Sequence, residues 1–433
     1  MRMKRPLNLF QKMILGWRGL YPYNAVHVVV VCQGLDSARL RDVIAEQLQM
    51  LGLTHLHLDR AGGRYDWRGG KQDVDLRLRS GDDPLNWIDD EIVRQLNTPF
   101  PAEGDISPFR FFAVDAGASF YLGLAYDHVV AGGDSIVRLL RAIVGRYRGG
   151  PAAQPSIDAA SAPSYARLFV RQGGALLRGL SSLPEFAASC RRSFRVSYRP
   201  IEDSRNAFAR LRLGPEEQAA MVHAAKAWGV TQNDLFMTIL LKVLSPLAAE
   251  RRQHATRREL AIASIVNIRR DFGSEAQAAF VPLLASFRVS HPAPDEMSVK
   301  DLAQSVHEES NRIRQGKLYL QTLLASGLAA FEWRFLSDRR RQEFFAKHYP
   351  VWAGTTPLNV GPLWSQAGDV KSEPVPEYLR AVSTGPLAPM ICAISTAGEL
   401  VNVGISYRTA AFDRNTVEGV VANMLTCIKS LRP

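Results

Sequence analysis

Strand-like and helix-like segments alternate through both halves of the chain, which predicts an α/β protein of two similar-sized lobes. Three observations carry this expectation. A valine-rich run at 25–32 reads as a buried strand, and the segment after it places Leu40, Val43, Ile44 and Leu48 on one helical face behind an Asp36 or Ser37 cap. Residues 109–114 and 120–126 read as an antiparallel hairpin around Gly117, Ala118 and Ser119, followed by a helix carrying Ile136, Leu140, Ile143, Val144 and Tyr147. The second half repeats the alternation. It has a strand near 208–213, a helix from Pro215 to Gly229, and an apolar helix over 235–244 capped by Thr231. A strand at 260–266, a strand pair at 390–395 and 400–407, and a last helix through Val417, Val420, Met424 and Ile428 follow.

The stretch 149–163 (GGPAAQPSIDAASAP) is the clearest linker. The expected organisation is an N-terminal lobe over 1–163, a helical connection over 164–200 and a C-terminal lobe over 201–433. No short-period repeat is visible. At 433 residues, with 46% hydrophobic and 22% charged residues, the chain is neither disordered nor a disulfide scaffold. The four cysteines, Cys32, Cys190, Cys392 and Cys427, form no CxxC pair, so no metal site is expected and a reducing, cytoplasmic setting fits. Cys32 and Cys392 end or enter apolar runs and read as buried small hydrophobes. No apolar window is long enough to span a membrane. The net charge of +11 brings no nucleic-acid motif with it, so nucleic acid is not an expected partner. It suits a solvated basic face, or the phosphates of a CoA-type ligand, an acidic carrier protein or an anionic lipid surface.

The segment that carries chemistry is 126–135, Tyr126-Asp127-His128-Val129-Val130-Ala131-Gly132-Gly133-Asp134-Ser135. It puts a histidine at a strand end, before a glycine turn and a helix start. Imidazole is the usual general base near neutral pH. With nine histidines in the chain, one alone says little. His27, set among strand valines, reads as structural, and His223 as surface or packing.

The segment resembles the HHxxxDG signature of the CoA-dependent acyltransferase superfamily, which includes chloramphenicol acetyltransferase, condensation domains and wax ester synthases. On that matching His128 stands for the second, catalytic histidine and Asp127 for the first. Gly132 replaces the motif aspartate, Gly133 matches the motif glycine, and Ser135 matches a serine that often follows. Pro22–Val26, Gly229–Asp234 (GVTQND), Val266–Arg269 (VNIR), Leu358–Gly361 (LNVG) and Tyr407–Asp413 resemble further family segments in the right order.

The resemblance implies two chloramphenicol acetyltransferase-like lobes, each a mixed sheet flanked by helices, with an active-site tunnel between them. It implies transfer of an acyl group from a CoA or carrier-protein thioester to a hydroxyl or amine. His128 would be the base, and Asn359 and the Gly132-Gly133 turn the candidates to hold the oxyanion. No metal or resident cofactor is required; the thioester is substrate. The family's motif aspartate pairs with an arginine across the site, and Arg269 of VNIR is that arginine here. With glycine at 132, three arrangements stand open. Asp134 or Asp127 substitutes, Arg269 turns to solvent, or Arg269 binds an anionic substrate group. Asp134, or Ser135, is also placed to cap the following helix, and Asp127 to support the His128 turn. Thr231 and Asp234 read as helix-start residues. The alternatives are a catalytically degenerate relative that only binds a carrier or assembly-line partner, and a lipid acyltransferase docked peripherally on a membrane through Phe10, Leu15 and Trp17.

Overall fold

The computed structural model describes residues 4–150, 157–161, 163–251, 256–333, 335–365 and 375–431. The expected linker lies partly outside these residues, at 151–156 and 162. Helices Tyr165–Arg171 and Gly173–Arg192 follow it.

The first half is built on a five-stranded sheet, in the order Tyr378–Val382, Asn24–Val31, Phe120–Asp127, Phe109–Asp115, Leu76–Ser80. The predicted hairpin is its centre. Phe109 pairs with Tyr126 and Asp115 with Phe120. The turn closes because Asp115 Oδ1 accepts the amide of Gly117, whose φ of +81° is left-handed. One face of the sheet packs helix Pro84–Asn97 through Ile88, Ile92 and Leu96 against Val26, Val28 and Phe112. The other face packs helices Ser37–Met50, with Asp36 as its N-cap, and Gly133–Tyr147. Each fully buried leucine or isoleucine on those faces contributes about 1.5–3 kcal/mol over the exposed state.

The second half holds a six-stranded sheet, in the order Leu284–His291, Leu260–Asn267, Ala353–Asn359, Met390–Ala397, Leu400–Arg408, Asn206–Leu213. Helix Pro215–Trp228 ends on Gly229 in the left-handed region, and Thr231 caps helix Gln232–Leu244, as their sequences predict. A small antiparallel sheet, Arg5–Pro6, Arg64–Trp67, Leu56–Asp59 and Gly104–Ile106, completes the strands of known order.

The halves are not separate beads. Strand Tyr378–Val382 comes from the second half of the sequence, yet it is the edge strand of the first sheet, pairing antiparallel with Asn24–Val31. It is laid so close over the second sheet that a Cβ on Gly404 would stand 1.8 Å from the Arg380 carbonyl oxygen. Only glycine permits that approach.

Two expectations are corrected here. Phe10, Leu15 and Trp17 are 7%, 2% and 2% exposed, so they form no membrane anchor. Helix Leu9–Trp17 turns Phe10, Met13, Ile14 and Trp17 onto Trp333 and Phe345 of the second half. Cys32 is exposed rather than buried, because the strand ends at Val31, the last residue paired with Phe120. Cys392 is buried as expected. No helix among the described residues is long and apolar enough to cross a membrane.

A buried ion pair joins the halves where the motif departs from the signature it resembles. Arg269 Nε lies 2.6 Å from Asp134 Oδ2, and both side chains are under a tenth exposed. The same guanidinium donates to the carbonyls of Ala276, Ala279 and Val281 at 2.5, 2.7 and 3.1 Å. Of the three arrangements left open by glycine at 132, Asp134 as substitute is the one found. A Cβ on Gly132 would lie 2.9 Å from Asp134 Oδ1. The carboxylate thus lies close to where a side chain at 132 would extend. Asp134→Ala leaves Arg269 buried without its counter-charge and should cost about 3–5 kcal/mol by urea unfolding. Adding Gly132→Asp to that variant should recover at least half of the loss. A double variant no more stable than Asp134→Ala would show that the two positions do not share one ion pair.

Candidate functional site

The turn carrying His128 is fixed from the strand side first. Asp127 closes strand Phe120–Asp127; its amide donates to Pro108 O at 3.1 Å. Its Oδ1 accepts the amide of Val129 at 3.1 Å, and its Oδ2 is ion-paired with Arg18. Burial pushes the Asp127 carboxyl up, and Arg18 offsets part of that rise. Asp127 therefore supports the turn, one of the two roles its sequence position allowed. The amide of His128 donates to Tyr23 O at 3.3 Å. Four residues later Gly132 is the N-cap of helix Gly133–Tyr147 without any side-chain cap, so Asp134 does not cap this helix; it faces Arg269 instead.

His128 is 6% exposed. Its Nδ1 lies 3.0 Å from the Ala131 carbonyl. A carbonyl only accepts, so that partner assigns the proton to Nδ1 and leaves the lone pair on Nε2. Nε2 has no protein partner among the described residues. Tyr23 stacks on the ring at 5.5 Å and 21°, while Phe10 and Tyr126 meet it edge-on at 5.9 and 5.7 Å. Burial lowers the imidazole pKa to about 4, with the charge of Arg380 acting in the same direction. The ring is therefore neutral at pH 7, in the tautomer a general base requires.

Phe10 and Tyr23 also wall an apolar cavity of about 300 Å³. Leu9, Met13, Leu284, Leu323, Ala329 and Leu387 line the rest, with Glu332 and His348 among its few charged or titratable side chains. This volume is at the lower end for small-molecule sites.

Behind the motif, one sheet face carries a second group of polar residues. His27 Nδ1 lies 2.7 Å from Tyr378 Oη, and Tyr126 meets the His27 ring edge-on at 5.5 Å. His27 is structural, as expected, and burial holds its pKa far below the usual imidazole range. Arg380 pairs across the strands from His27. Sequence reasoning missed Arg380 and Arg18, and it named Tyr23 only within the Pro22–Val26 segment. Their relation to the motif is made by strand pairing and packing, and no spacing in the sequence signals it.

The remaining predicted residues fall in different places. Gly133, the first helical residue, has Arg380 and His27 beside its Cα. Arg269 is 4% exposed and directs its guanidinium to Asp134, Ser135 and backbone carbonyls. This corrects its reading as a substrate-binding group, because each of its nitrogens already faces an internal partner. Asn359 is exposed at the end of strand Ala353–Asn359, and its Oδ1 accepts the Gly361 amide at 3.2 Å, the arrangement of a turn residue. No contact joins it to His128 among the described residues. Thr231 and Asp234 form a reciprocal cap, as predicted, and Asp234 continues into His307, Ser310 and Arg314. Burial raises the Asp234 carboxyl pKa, but these bonds outweigh it and hold the carboxyl below its ordinary value. His223 is exposed.

No protein-family model matches the chain, and no curated protein matches it in sequence. Solved structures do match. The first condensation domain of the CDA synthetase is 15% identical and aligns with a TM-score of 0.63 over 100% of this chain and 97% of that one. The epimerization domain from the third module of tyrocidine synthetase B is 12% identical, with a TM-score of 0.63 over 100% and 96%. The cyclization-docking bidomain of the nonribosomal peptide synthetase EpoB, from Sorangium cellulosum, is 12% identical, with a TM-score of 0.69 over 99% and 85%. At such identities the likeness is one of architecture. The chain has the two-lobed condensation-domain fold, the architecture of the CoA-dependent acyltransferase superfamily that its motifs resemble.

Proposed function

We propose that the protein transfers an acyl group from a thioester, on CoA or on a carrier protein, to a hydroxyl or amine acceptor, with His128 as general base. The observation that carries this reading is the state of His128. It is neutral, held through Nδ1 by Ala131, and without a partner at Nε2 among the described residues. Attack on a thioester carbonyl requires the acceptor to lose a proton as the new bond forms, and an imidazole lone pair within hydrogen-bond reach supplies that step. The apolar cavity behind Phe10 and Tyr23 suits the acyl chain. Condensation-type neighbours working in peptide assembly lines support the reaction class and a carrier-protein partner.

A binding-only role is the second reading. Its support is Asp127, which replaces the first motif histidine and is committed to Arg18. An X-domain from teicoplanin biosynthesis, solved in complex with OxyB, has the same fold at 14% identity and a TM-score of 0.54.

The two readings separate on turnover. Mass spectrometry of a panel of acyl thioesters and acceptors should find transfer, and His128→Ala should lower it by about 10²–10⁴-fold with the melting temperature retained. Wild-type turnover in that variant would remove His128 from the reaction. Absence of transfer with any donor, alongside carrier-protein binding, would favour the second reading.

Sign and position of the pH dependence follow from burial. With its pKa at about 4, His128 is already deprotonated at pH 5, so the acidic limb of kcat/KM should fall near pH 4 instead of near 6.5. A limb centred near 6.5 would mean that the base is another, solvated group.

Chain length is the third readout. Each methylene buried in the cavity should contribute about 0.8 kcal/mol, close to a fourfold gain in affinity, until the cavity is full. Dissociation constants for a butyryl-to-myristoyl series should therefore fall and then level off. Ala329→Phe should move the plateau to shorter chains. A flat series would place the acyl chain elsewhere.

A further inference from the structure

Arg380 is a buried arginine of this site with no acidic partner among the described residues. It is 3% exposed on strand Tyr378–Val382. Nε donates to Ser395 Oγ at 3.0 Å, and Nη2 donates to the carbonyls of Thr356 and Ile394 at 2.5 and 2.7 Å. These three bonds tie the strand to the second sheet. They leave Nη1 without a partner among the described residues, and no carboxylate there is ion-paired with the group. Burial lowers its pKa to about 10, so it remains a cation at neutral pH.

Nη1 is aimed at the start of helix Gly133–Tyr147. A Cβ on Gly133 would lie 3.3 Å from Nη1, 3.5 Å from His27 Cε1 and 3.6 Å from Leu358 Cδ2. A methyl at 133 would therefore stand against a guanidinium, a neutral imidazole and an aliphatic side chain, and glycine leaves the approach to Nη1 unfilled on that side. The helix has 15 residues, and its N-terminus adds the positive end of its dipole to the same place. A buried cation whose only partners are carbonyls and a hydroxyl is costly, and a negative oxygen brought beside it would offset that cost.

We propose that Arg380 Nη1 and the start of this helix form an anion pole, at the end of the turn that carries His128, that holds a negatively charged oxygen of the substrate. The inference rests on the acyl-transfer reading and deepens it. Two sources supply such an oxygen. One is a carboxylate on the acceptor. The other is the tetrahedral intermediate. There His128 Nε2 takes the acceptor's proton as the acceptor's electron pair bonds to the thioester carbon, and the carbonyl π pair moves onto oxygen. That oxyanion sits at Nη1. Collapse re-forms the C=O, breaks the C–S bond, and returns the proton from the imidazolium to the departing thiolate.

Acetate is the probe for the pole, and it needs no turnover. Titrated into wild-type protein, acetate should shift the His128 ring resonances in NMR spectra and raise the apparent pKa of the ring. Gly133→Ala places a methyl against Nη1 while leaving the bonds of Arg380 to Ser395, Thr356 and Ile394 intact, and it should weaken acetate at least tenfold without lowering the melting temperature. Arg380→Gln should abolish the effect; Arg380→Lys, which keeps the charge but not the geometry, should fall between. In kinetics, an oxyanion role lowers kcat by about 10²–10³-fold in Arg380→Gln for every acceptor with KM unchanged. A carboxylate role raises KM for carboxylate-bearing acceptors and leaves their methyl esters unaffected. Wild-type protein that ignores acetate, or acetate binding that survives both Gly133→Ala and Arg380→Gln, overturns the proposal. Acetate binding as described without transfer of any acyl group leaves the pole standing and overturns the acyl-transfer reading instead.

Discussion

The turn that carries His128 is held at both ends by a buried aspartate–arginine pair. Asp127, at its start, meets Arg18 from just beyond the N-terminal helix. Asp134, just beyond its end, meets Arg269 from the other half of the sequence. Burying such pairs is weak evidence of net stabilisation, since desolvation consumes much of the Coulombic gain. Their effect is on location. Losing either partner strands a charge in the interior, so the native arrangement of the turn is strongly preferred over slipped ones. Because the arginines come from distant segments, the geometry at His128 depends on the whole tertiary structure being formed.

The electrostatics at the turn have a consequence for the chemistry. The Nδ1 of His128 is oriented by a carbonyl, not by a carboxylate, so the ring is aimed without being made more basic. Burial and the Arg380 cation lower its basicity further. A base held at about 4 is a poor match to work at neutral pH. A negative oxygen at Nη1 of Arg380 would cancel the charge that disfavours the imidazolium. The ring would then become a stronger base at the moment the substrate arrives. On the proposed mechanism His128 and Arg380 would act together, although they lie 252 positions apart in sequence.

Much of the fold was legible in the sequence because its elements are locally determined. Asp36, Thr231 and Gly229 cap or end helices through bonds to residues three or four positions away. The 109–126 hairpin follows from one turn. Errors came where long-range packing outweighed local character. The basic, broken apolar start of the chain looked like a surface anchor, but Trp333 and Phe345 give it a buried partner face. Cys32 continued an apolar run whose strand pairing had already stopped. At the site, His128, Asp127 and the glycine turn could be read from the motif. That Asp134 replaces the aspartate missing at 132 stood only as one of three arrangements, since it depends on where Arg269 points. Arg380 carried no signal at all, because its neighbours His27, Gly133, Thr356 and Ile394 belong to four separate segments.

The departures from the family motif are better explained as compensation than as decay. Decay removes an acid and leaves its arginine exposed or loosely held. Here the acid lies two residues on, the arginine is buried and ion-paired with it, and position 132 is glycine. A Cβ at 132 would stand 2.9 Å from Asp134 Oδ1, so a side chain there would require the carboxylate that holds Arg269 to shift. The same logic covers Asp127. A histidine there could not neutralise Arg18, whereas an aspartate does so and also accepts the Val129 amide that shapes the turn. Each departure has a partner that makes sense of it, and all the partners act to hold His128 in one place. The neutral imidazole that results, with no Nε2 partner among the described residues, is the feature on which the proposed acyl transfer rests.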